Sequence, residues 1–208
     1  MVSRARNGFP HEGVRPALWA VLAALLLALA LVGCSRNDWR TKDISGLMPS
    51  LKFQLTAESG KQVTAADYEG RVVLLYFGYT RCPDVCPTTL ARFKRALDRL
   101  GKAGRDVTLL FVTVDPKRDD LQTLRQYTNA FDPRFVGLRG DKESLDSLTK
   151  RYRVTYGYGK PDDSGNYEVS HSSAVFAFDR EGKARLLFRS TDSLDDVVAD
   201  LRRLVGKE

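Results

Sequence analysis

The chain has 208 residues, of which 43% are hydrophobic and 28% are charged, and it carries a formal net charge of +7. This length suits one well-cored globular domain with an appendage, and the composition argues against a disordered chain or a repeat array. The basic residues are spread along the chain and the aromatic residues lie within apolar runs, which excludes the usual pattern of a nucleic-acid-binding protein.

The N-terminus has the features of a secretory signal. Arginines precede an apolar stretch at residues 17–32, which is short for a membrane span and suits the hydrophobic region of a signal peptide. The stretch ends at Leu31-Val32-Gly33-Cys34, which resembles the bacterial lipobox. We therefore predict a lipoprotein signal peptide at residues 1–33, cleaved before a lipidated Cys34; an uncleaved membrane anchor is the alternative. In both cases we expect a membrane-anchored protein of the bacterial cell envelope, with its domain in the periplasm or extracytoplasmic space.

Cleavage would leave few soft metal ligands. With Cys34 assigned to the lipid, the mature domain retains Cys82, Cys86 and His171 as its only free thiols and imidazole. The basic excess that remains would suit an anionic membrane surface or an acidic protein partner, but an ordinary solvated surface is the preferred interpretation. The polar segment at residues 34–50 is predicted to be a membrane tether, with the folded domain at residues 51–208.

Hydrophobic periodicity predicts alternating strands and helices along the domain. In chain order these are a small hairpin at 53–63, a buried strand at 71–79, a helix at 90–100, a strand at 107–114, a helix capped by Asp119 or Asp120, a strand at 135–138, a helix at 141–152, a strand at 174–179 joined by a turn to one at 185–188, and a last helix from Ser193. A central mixed sheet flanked by helices, with an N-terminal hairpin extension, is a thioredoxin-like α/β arrangement. A generic doubly wound α/β domain is the alternative.

Two thiols lie between the strand at 71–79 and the next helix, in Cys82-Pro83-Asp84-Val85-Cys86-Pro87. Proline after each cysteine favours a loop, and Pro87 suits the first helical position, which predicts Cys86 as the helix N-cap. The helix dipole would lower the pKa of such a thiol, so we expect Cys86 to ionise easily. The loop allows either a disulfide or two sulfurs turned toward one metal. A pair of buried, inert cysteines is the alternative.

His171 precedes the strand at 174–179 and is the one imidazole that the predicted mature domain retains, since His11 lies in the predicted signal peptide. A lone histidine is ordinarily a surface or hydrogen-bonded core residue. In a thioredoxin-like sheet, however, the loop before this strand lies beside the loop that carries the cysteines, since ligand sites form at strand ends. His171 is therefore a candidate ligand, and the stretch at 156–166, rich in glycine and aspartate, is expected to let it approach or withdraw.

Several segments of the chain resemble the Sco/SenC family. They are Asp43-Ile44-Ser45-Gly46 with Met48-Pro49, the run from Gly78 through Cys82-Pro83-Asp84-Val85-Cys86-Pro87 to Leu90, Val114-Asp115-Pro116-Lys117-Arg118-Asp119, and His171-Ser172. The resemblance implies a membrane-tethered, thioredoxin-like protein that binds copper and assists assembly of the binuclear copper site of cytochrome c oxidase. Many members are held by a transmembrane helix, so the lipobox is a variation.

The resemblance also implies roles for individual residues. Cys82 and Cys86 would be the thiolate ligands and the redox disulfide pair, and His171 would be the distal ligand. Asp115 would have a supporting role, although an acidic turn residue explains it equally. The implied partners are the copper-site subunit of cytochrome c oxidase or a similar cuproprotein, another copper chaperone, or a thiol reductant.

The donor set agrees with copper. Two thiolates and one imidazole suit Cu(I) and, with adjustment, Cu(II). Structural zinc would need a fourth ligand, which Asp84 or Asp115 would have to supply. The leading hypothesis is an assembly factor without catalytic turnover. Its rivals are enzymes: a thiol-disulfide oxidoreductase that uses Cys82 and Cys86 on an acceptor's cysteines, and, as a weaker reading, a thiol peroxidase.

Overall fold

The sheet is built around the long apolar run that follows residue 71. In the computed structural model, which describes residues 39–206, eight strands form one mixed sheet and two form a separate ribbon. The strands are β1 (Lys42–Asp43), β2 (Gln54–Ala57), β3 (Gln62–Thr64), β4 (Val72–Gly78), β5 (Val107–Thr113), β6 (Phe135–Arg139), β7 (Tyr156–Tyr158), β8 (Val169–His171), β9 (Val175–Phe178) and β10 (Ala184–Phe188). The order across the sheet is β1-β10-β9-β4-β5-β6-β2-β3, with β4, β5 and β6 parallel.

Strand β4 lies at the middle of the sheet and is buried on both faces. Leu74 and Tyr76 pack into one core layer, and Leu75 and Phe77 pack into the other. Successive side chains of a strand point to opposite faces, so a strand with helices on both sides needs apolar residues at every position. This explains why the sequence of β4 is an unbroken apolar run.

The helices cover both faces of the sheet. They are α1 (Val85–Leu100), α2 (Leu121–Phe131), α3 (Lys142–Arg151) and α4 (Leu194–Val205), with short 3-10 helices at Ala65–Tyr68 and Gly101–Asp106. Apolar residues of α1, α2 and α4 contribute to one core layer and those of α3 to the other. The predicted central sheet flanked by helices, with an N-terminal hairpin, is confirmed.

Side-chain caps fix where three of the helices begin. Asp120, Asp141 and Ser193 each accept a hydrogen bond from the backbone N–H three residues later. Such a bond satisfies one of the N–H groups that a helix start leaves without a partner. Asp120 is therefore the cap of α2. Asp119, the other predicted candidate, is buried instead.

The folded unit begins before residue 51, so the predicted boundary was too late. Strand β1 pairs with β10, and Ile44 is buried in the core. The Thr41 N–H and hydroxyl donate to the buried carboxylate of Asp200 at 2.8 and 2.7 Å. Short strands and single buried side chains do not stand out in a polar segment, which is why these residues were assigned to the tether.

The ribbon of β7 and β8 was also not predicted. Its strands pair antiparallel, and Tyr156 lies opposite His171. Glycines and few aliphatic residues in this stretch gave it the composition of a loop. Within residues 39–206, no helix is long and apolar enough to span a membrane. The predicted signal peptide at residues 1–33 and Cys34 lie outside the described residues.

Candidate metal centre

The two cysteines lie where the chain leaves β4 and enters α1. Cys82 is in the loop, and Cys86 occupies the second position of the helix, because α1 begins at Val85 with Asp84 as its N-cap. The prediction of Cys86 as the N-cap was therefore wrong. Pro87 is tolerated in the first turn because the backbone N–H that proline lacks would have no partner inside the helix there.

His171, at the end of β8, completes a cluster with these thiols. Its Nε2 atom lies 3.4 Å from Cys86 Sγ, and the ligand atoms of Cys82, Cys86 and His171 all lie within 4.8 Å of one another. The structure therefore brings together the residues that the sequence analysis singled out. Metal–sulfur bonds of about 2.3 Å allow two sulfurs on one ion to be up to about 4.6 Å apart, so little movement is needed to bind one.

The hydrogen bonds of His171 leave Nε2 available. Nδ1 lies 3.0 Å from the carbonyl oxygen of Ser172, and a carbonyl oxygen only accepts, so Nδ1 carries the donated proton. Burial lowers the pKa of His171, which favours the neutral ring. A neutral imidazole with Nδ1 bonded to a carbonyl presents the Nε2 lone pair to a metal.

Cys86 is fully buried, whereas Cys82 is partly exposed. Burial raises the pKa of the Cys86 thiol to about 12, and the hydrogen bond donated by the Tyr76 hydroxyl to its sulfur, at 3.5 Å, only partly offsets this. The predicted easy ionisation of Cys86 is therefore wrong for the metal-free site, because the cost of burying a charge outweighs the helix start. A metal ion would bind here by replacing the thiol proton.

Each of the two sulfurs accepts a hydrogen bond. The backbone N–H of Cys86 donates to Cys82 Sγ at 3.4 Å, and the Tyr76 hydroxyl donates to Cys86 Sγ. Such bonds orient ligand atoms before a metal arrives. The role of Tyr76 could not be predicted from the sequence, because Tyr76 lies within the apolar run of β4 and is expected there as a core residue.

Gly78, the last residue of β4, makes room for Cys86. A Cβ atom built at residue 78 would lie 2.7 Å from Cys86 Sγ and 2.7 Å from a ring carbon of Phe111. Glycine at the end of a strand often marks such a close approach, so the glycine itself is the sequence signal for this feature. Gly78 is therefore part of the site although it offers no ligand.

The acidic candidates are not part of the cluster. Asp115 is fully buried and is held by Arg118 and by the hydroxyl of Tyr167, which donates to it at 2.8 Å. Asp84 lies at the rim of a cleft of about 680 Å³ that opens beside Cys82 and His171. Neither carboxylate belongs to the group of ligand atoms that lie together among residues 39–206. Neither carboxylate that was considered as a fourth ligand for zinc therefore lies with the two sulfurs and the imidazole.

Asp119 supports the loop that carries Cys82. Its carboxylate accepts hydrogen bonds from the Thr80 N–H at 3.0 Å, from the Thr80 hydroxyl at 2.6 Å and from the Thr113 hydroxyl at 2.6 Å. These bonds join the ends of β4 and β5. In the sequence Asp119 stands out only as a candidate helix cap, because its bonds to Thr80 and Thr113 depend on the tertiary fold.

Comparisons with known proteins agree with the geometry. The SCO1/SenC family model matches residues 47–206. The mitochondrial SCO2 homolog of Mus musculus is 35% identical over 157 residues, covering 74% of this chain and 61% of the relative. The mitochondrial SCO1 homolog of Homo sapiens is 33% identical over 151 residues, covering 72% of this chain and 50% of the relative. The chain thus spans less than two thirds of the length of these two relatives.

A solved structure of a Sco protein also matches this chain. Bradyrhizobium japonicum ScoI with copper bound is 36% identical and superposes with a TM-score of 0.68, covering 74% of this chain and 98% of the other. The fold is thioredoxin-like, as the order of elements predicted. The family model accounts for nearly all of the described residues, and the relatives exceed 30% identity over most of the chain. The chain therefore belongs to the SCO1/SenC family.

Proposed function

We propose that this protein is a membrane-tethered copper-binding assembly factor. Cys82, Cys86 and His171 would hold one copper ion and pass it to an acceptor, the binuclear copper site of cytochrome c oxidase or that of a similar cuproprotein. The observation that carries the proposal is the cluster of two sulfurs and one imidazole nitrogen within 4.8 Å. Copper bound to the similar protein from B. japonicum supports the choice of metal.

The chemistry of the donors fits copper. Soft thiolates with an imidazole suit Cu(I), which accepts three ligands, while structural zinc sites are almost always four-coordinate. Copper would be the cargo, and the role of the protein would be to bind it and to release it to the acceptor. The cleft beside Cys82 and His171 would give an acceptor's ligands a path to a bound ion.

The location is part of the same proposal. The lipobox-like sequence ending at Cys34 supports a lipid anchor in the bacterial cell envelope, and an extracytoplasmic domain would meet an oxidase subunit in that compartment. Labelling cells with a radioactive fatty acid tests this directly, because replacement of Cys34 with alanine should abolish the label. Equal labelling of both proteins would contradict lipidation at this residue.

Copper retention by the reduced full-length protein in detergent tests the metal site. We expect one copper per chain in the wild type, and loss of copper in the double variant Cys82→Ser, Cys86→Ser. Ser173→Ala is the matched control because Ser173 lines the same cleft without belonging to the cluster. Equal copper retention by the wild type and the double variant would refute the proposed site.

A thiol-disulfide oxidoreductase is the second candidate. The partly exposed Cys82 beside the buried Cys86 resembles an attacking thiol with a resolving partner. His171→Ala separates the two functions, since reduction of an acceptor's disulfide needs both thiols and no third ligand. Weaker copper binding with unchanged thiol reduction supports the metal site, and unchanged copper affinity favours the oxidoreductase.

A further inference from the structure

The ribbon that carries His171 depends on the rest of the domain for its position. Strands β7 and β8 have three residues each and pair only with each other. An isolated two-stranded ribbon is at best marginally stable in water. The contacts between this ribbon and the body of the domain therefore determine where the imidazole of His171 lies relative to the two thiols.

Two tyrosines attach the ribbon to the end of β5. The Tyr158 hydroxyl donates to the carbonyl oxygen of Val114 at 2.7 Å, and the Tyr167 hydroxyl donates to the carboxylate of Asp115 at 2.8 Å. Their rings meet edge-on with centroids 5.7 Å apart. Both ends of the connection between β7 and β8 are thus fixed to adjacent residues of the body.

Arg118 is the central contact. Its guanidinium carbon lies 3.6 Å from the centroid of the Tyr167 ring, and its Nε donates to Asp115 in an ion pair. The Arg118 side chain is only 11% exposed, and that of Asp115 is 0% exposed. A planar guanidinium held by a buried carboxylate is a rigid platform on which an aromatic ring can stack.

The guanidinium of Arg118 also lies near Tyr79, which belongs to the loop that carries the cysteines. It lies 5.9 Å from the Tyr79 ring, and that ring meets the imidazole of His171 edge-on at 5.7 Å with an interplanar angle of 87°. Arg118 thus lies between an aromatic residue of the cysteine loop and one of the ribbon. Tyr167 lies two residues before the first residue of β8, the strand that ends at His171.

We propose that Arg118, oriented by Asp115, is a positioning residue for His171. By stacking on Tyr167, alongside the hydrogen bonds of Tyr156 and Tyr158 to the body of the domain, it holds the end of the ribbon next to His171 at the place where His171 Nε2 meets Cys86 Sγ. The inference rests on the proposed function, since it concerns how the copper site acquires its nitrogen donor. In this proposal the buried carboxylate of Asp115 binds no metal and acts only by orienting Arg118.

Two variants of the full-length protein remove the stacking without leaving a buried charge alone. Arg118→Lys keeps a cation beside Asp115 and loses the planar group. Tyr167→Leu keeps the Arg118–Asp115 pair and loses the ring together with the hydroxyl that donates to Asp115, and Tyr167→Phe, which loses the hydroxyl alone, separates the two effects. Arg180→Lys is the matched control because Arg180 pairs with Asp106 away from the site. Thermal unfolding identifies the folded variants, and Tyr167→Leu decides the question if Arg118→Lys does not fold.

The readouts are the Cu(I) affinity, measured by competition with a chromophoric chelator, and the nitrogen hyperfine signal of the Cu(II)-loaded protein. We expect affinity to fall about tenfold or more in both variants, with weakening of the nitrogen signal, because groups that orient a ligand usually contribute this much. In a His171→Ala background, Arg118→Lys should cause little further loss. A general structural role would instead reduce affinity equally in both backgrounds.

The outcomes separate this inference from the proposed function. If His171→Ala and the wild type bind copper equally, the three-ligand site itself is wrong. If His171→Ala weakens binding but Arg118→Lys and Tyr167→Leu match the wild type, only the positioning role of Arg118 is overturned. Losses that are independent of His171 overturn it as well.

Discussion

Replacing Gly78 with alanine should damage the metal site by adding a single methyl group. The new Cβ would lie 2.7 Å from Cys86 Sγ and 2.7 Å from the Phe111 ring, whereas ordinary contacts between such atoms begin near 3.5 Å. Both neighbours are fully buried, so neither can turn into solvent. Overpacking of this kind costs about 1–3 kcal/mol in the free energy of unfolding. For a domain of this size that corresponds to a melting temperature lower by about 2–12 °C.

Cys86 lies in the first turn of α1, whereas Phe111 lies in β5, which is paired with a strand on each side, so we expect Cys86 Sγ to move. A displaced sulfur should lower the Cu(I) affinity by about tenfold or more, as measured by chelator competition. Gly140→Ala is the control, because a Cβ there would lie 2.7 Å from Leu55 Cδ2, among residues outside the cluster, so it should lower the melting temperature and leave the copper affinity unchanged. A Gly78→Ala protein with the wild-type melting temperature and copper affinity would show that this close approach does not constrain the site.

Three further predictions concern the sulfurs and the N-terminal segment. Tyr76→Phe removes the hydroxyl that donates to Cys86 Sγ, so the sulfur-to-Cu(II) absorption band should shift to lower energy; an unchanged band contradicts this hydrogen bond in the copper-bound protein. In the metal-free protein, iodoacetamide should modify the partly exposed Cys82 well before the buried Cys86, and mass spectrometry showing equal rates would contradict the burial. Asp200→Ala removes the acceptor of the Thr41 N–H and hydroxyl, so the free energy of unfolding in urea should fall by about 1–3 kcal/mol with copper affinity unchanged; no loss of stability would show that this contact does not hold the segment.

The parts of the fold that depend on repeated patterns could be predicted from the sequence. Strand β4 was recognisable because burial on both faces requires an unbroken apolar run, and α4 because its apolar residues recur at helical spacing. The candidate ligands could be predicted because the chain has only three cysteines and two histidines. Their proximity followed from the topology, which places the loop after β4 beside the strand before β9.

Features that depend on a few tertiary contacts could not be predicted. Strand β1 has two residues, and its place in the sheet depends on pairing with β10, far away in the chain. The N-cap of α1 is Asp84 and not Cys86, the residue predicted from Pro87. Proline is tolerated throughout the first turn of a helix, so its position alone does not identify the cap. The pKa of Cys86 depended on burial, which a local motif does not reveal.

The geometry indicates the order in which thiol chemistry and metal binding must occur. The ligand atoms are already close enough for one ion, and each sulfur is oriented by a hydrogen bond, so binding requires little rearrangement. A disulfide would bring the two sulfurs to about 2.05 Å and use the same electron pairs, so oxidation and copper binding exclude each other. Reduction of the pair must therefore precede copper loading. In an oxidising compartment, a thiol reductant would then control the supply of copper through this site.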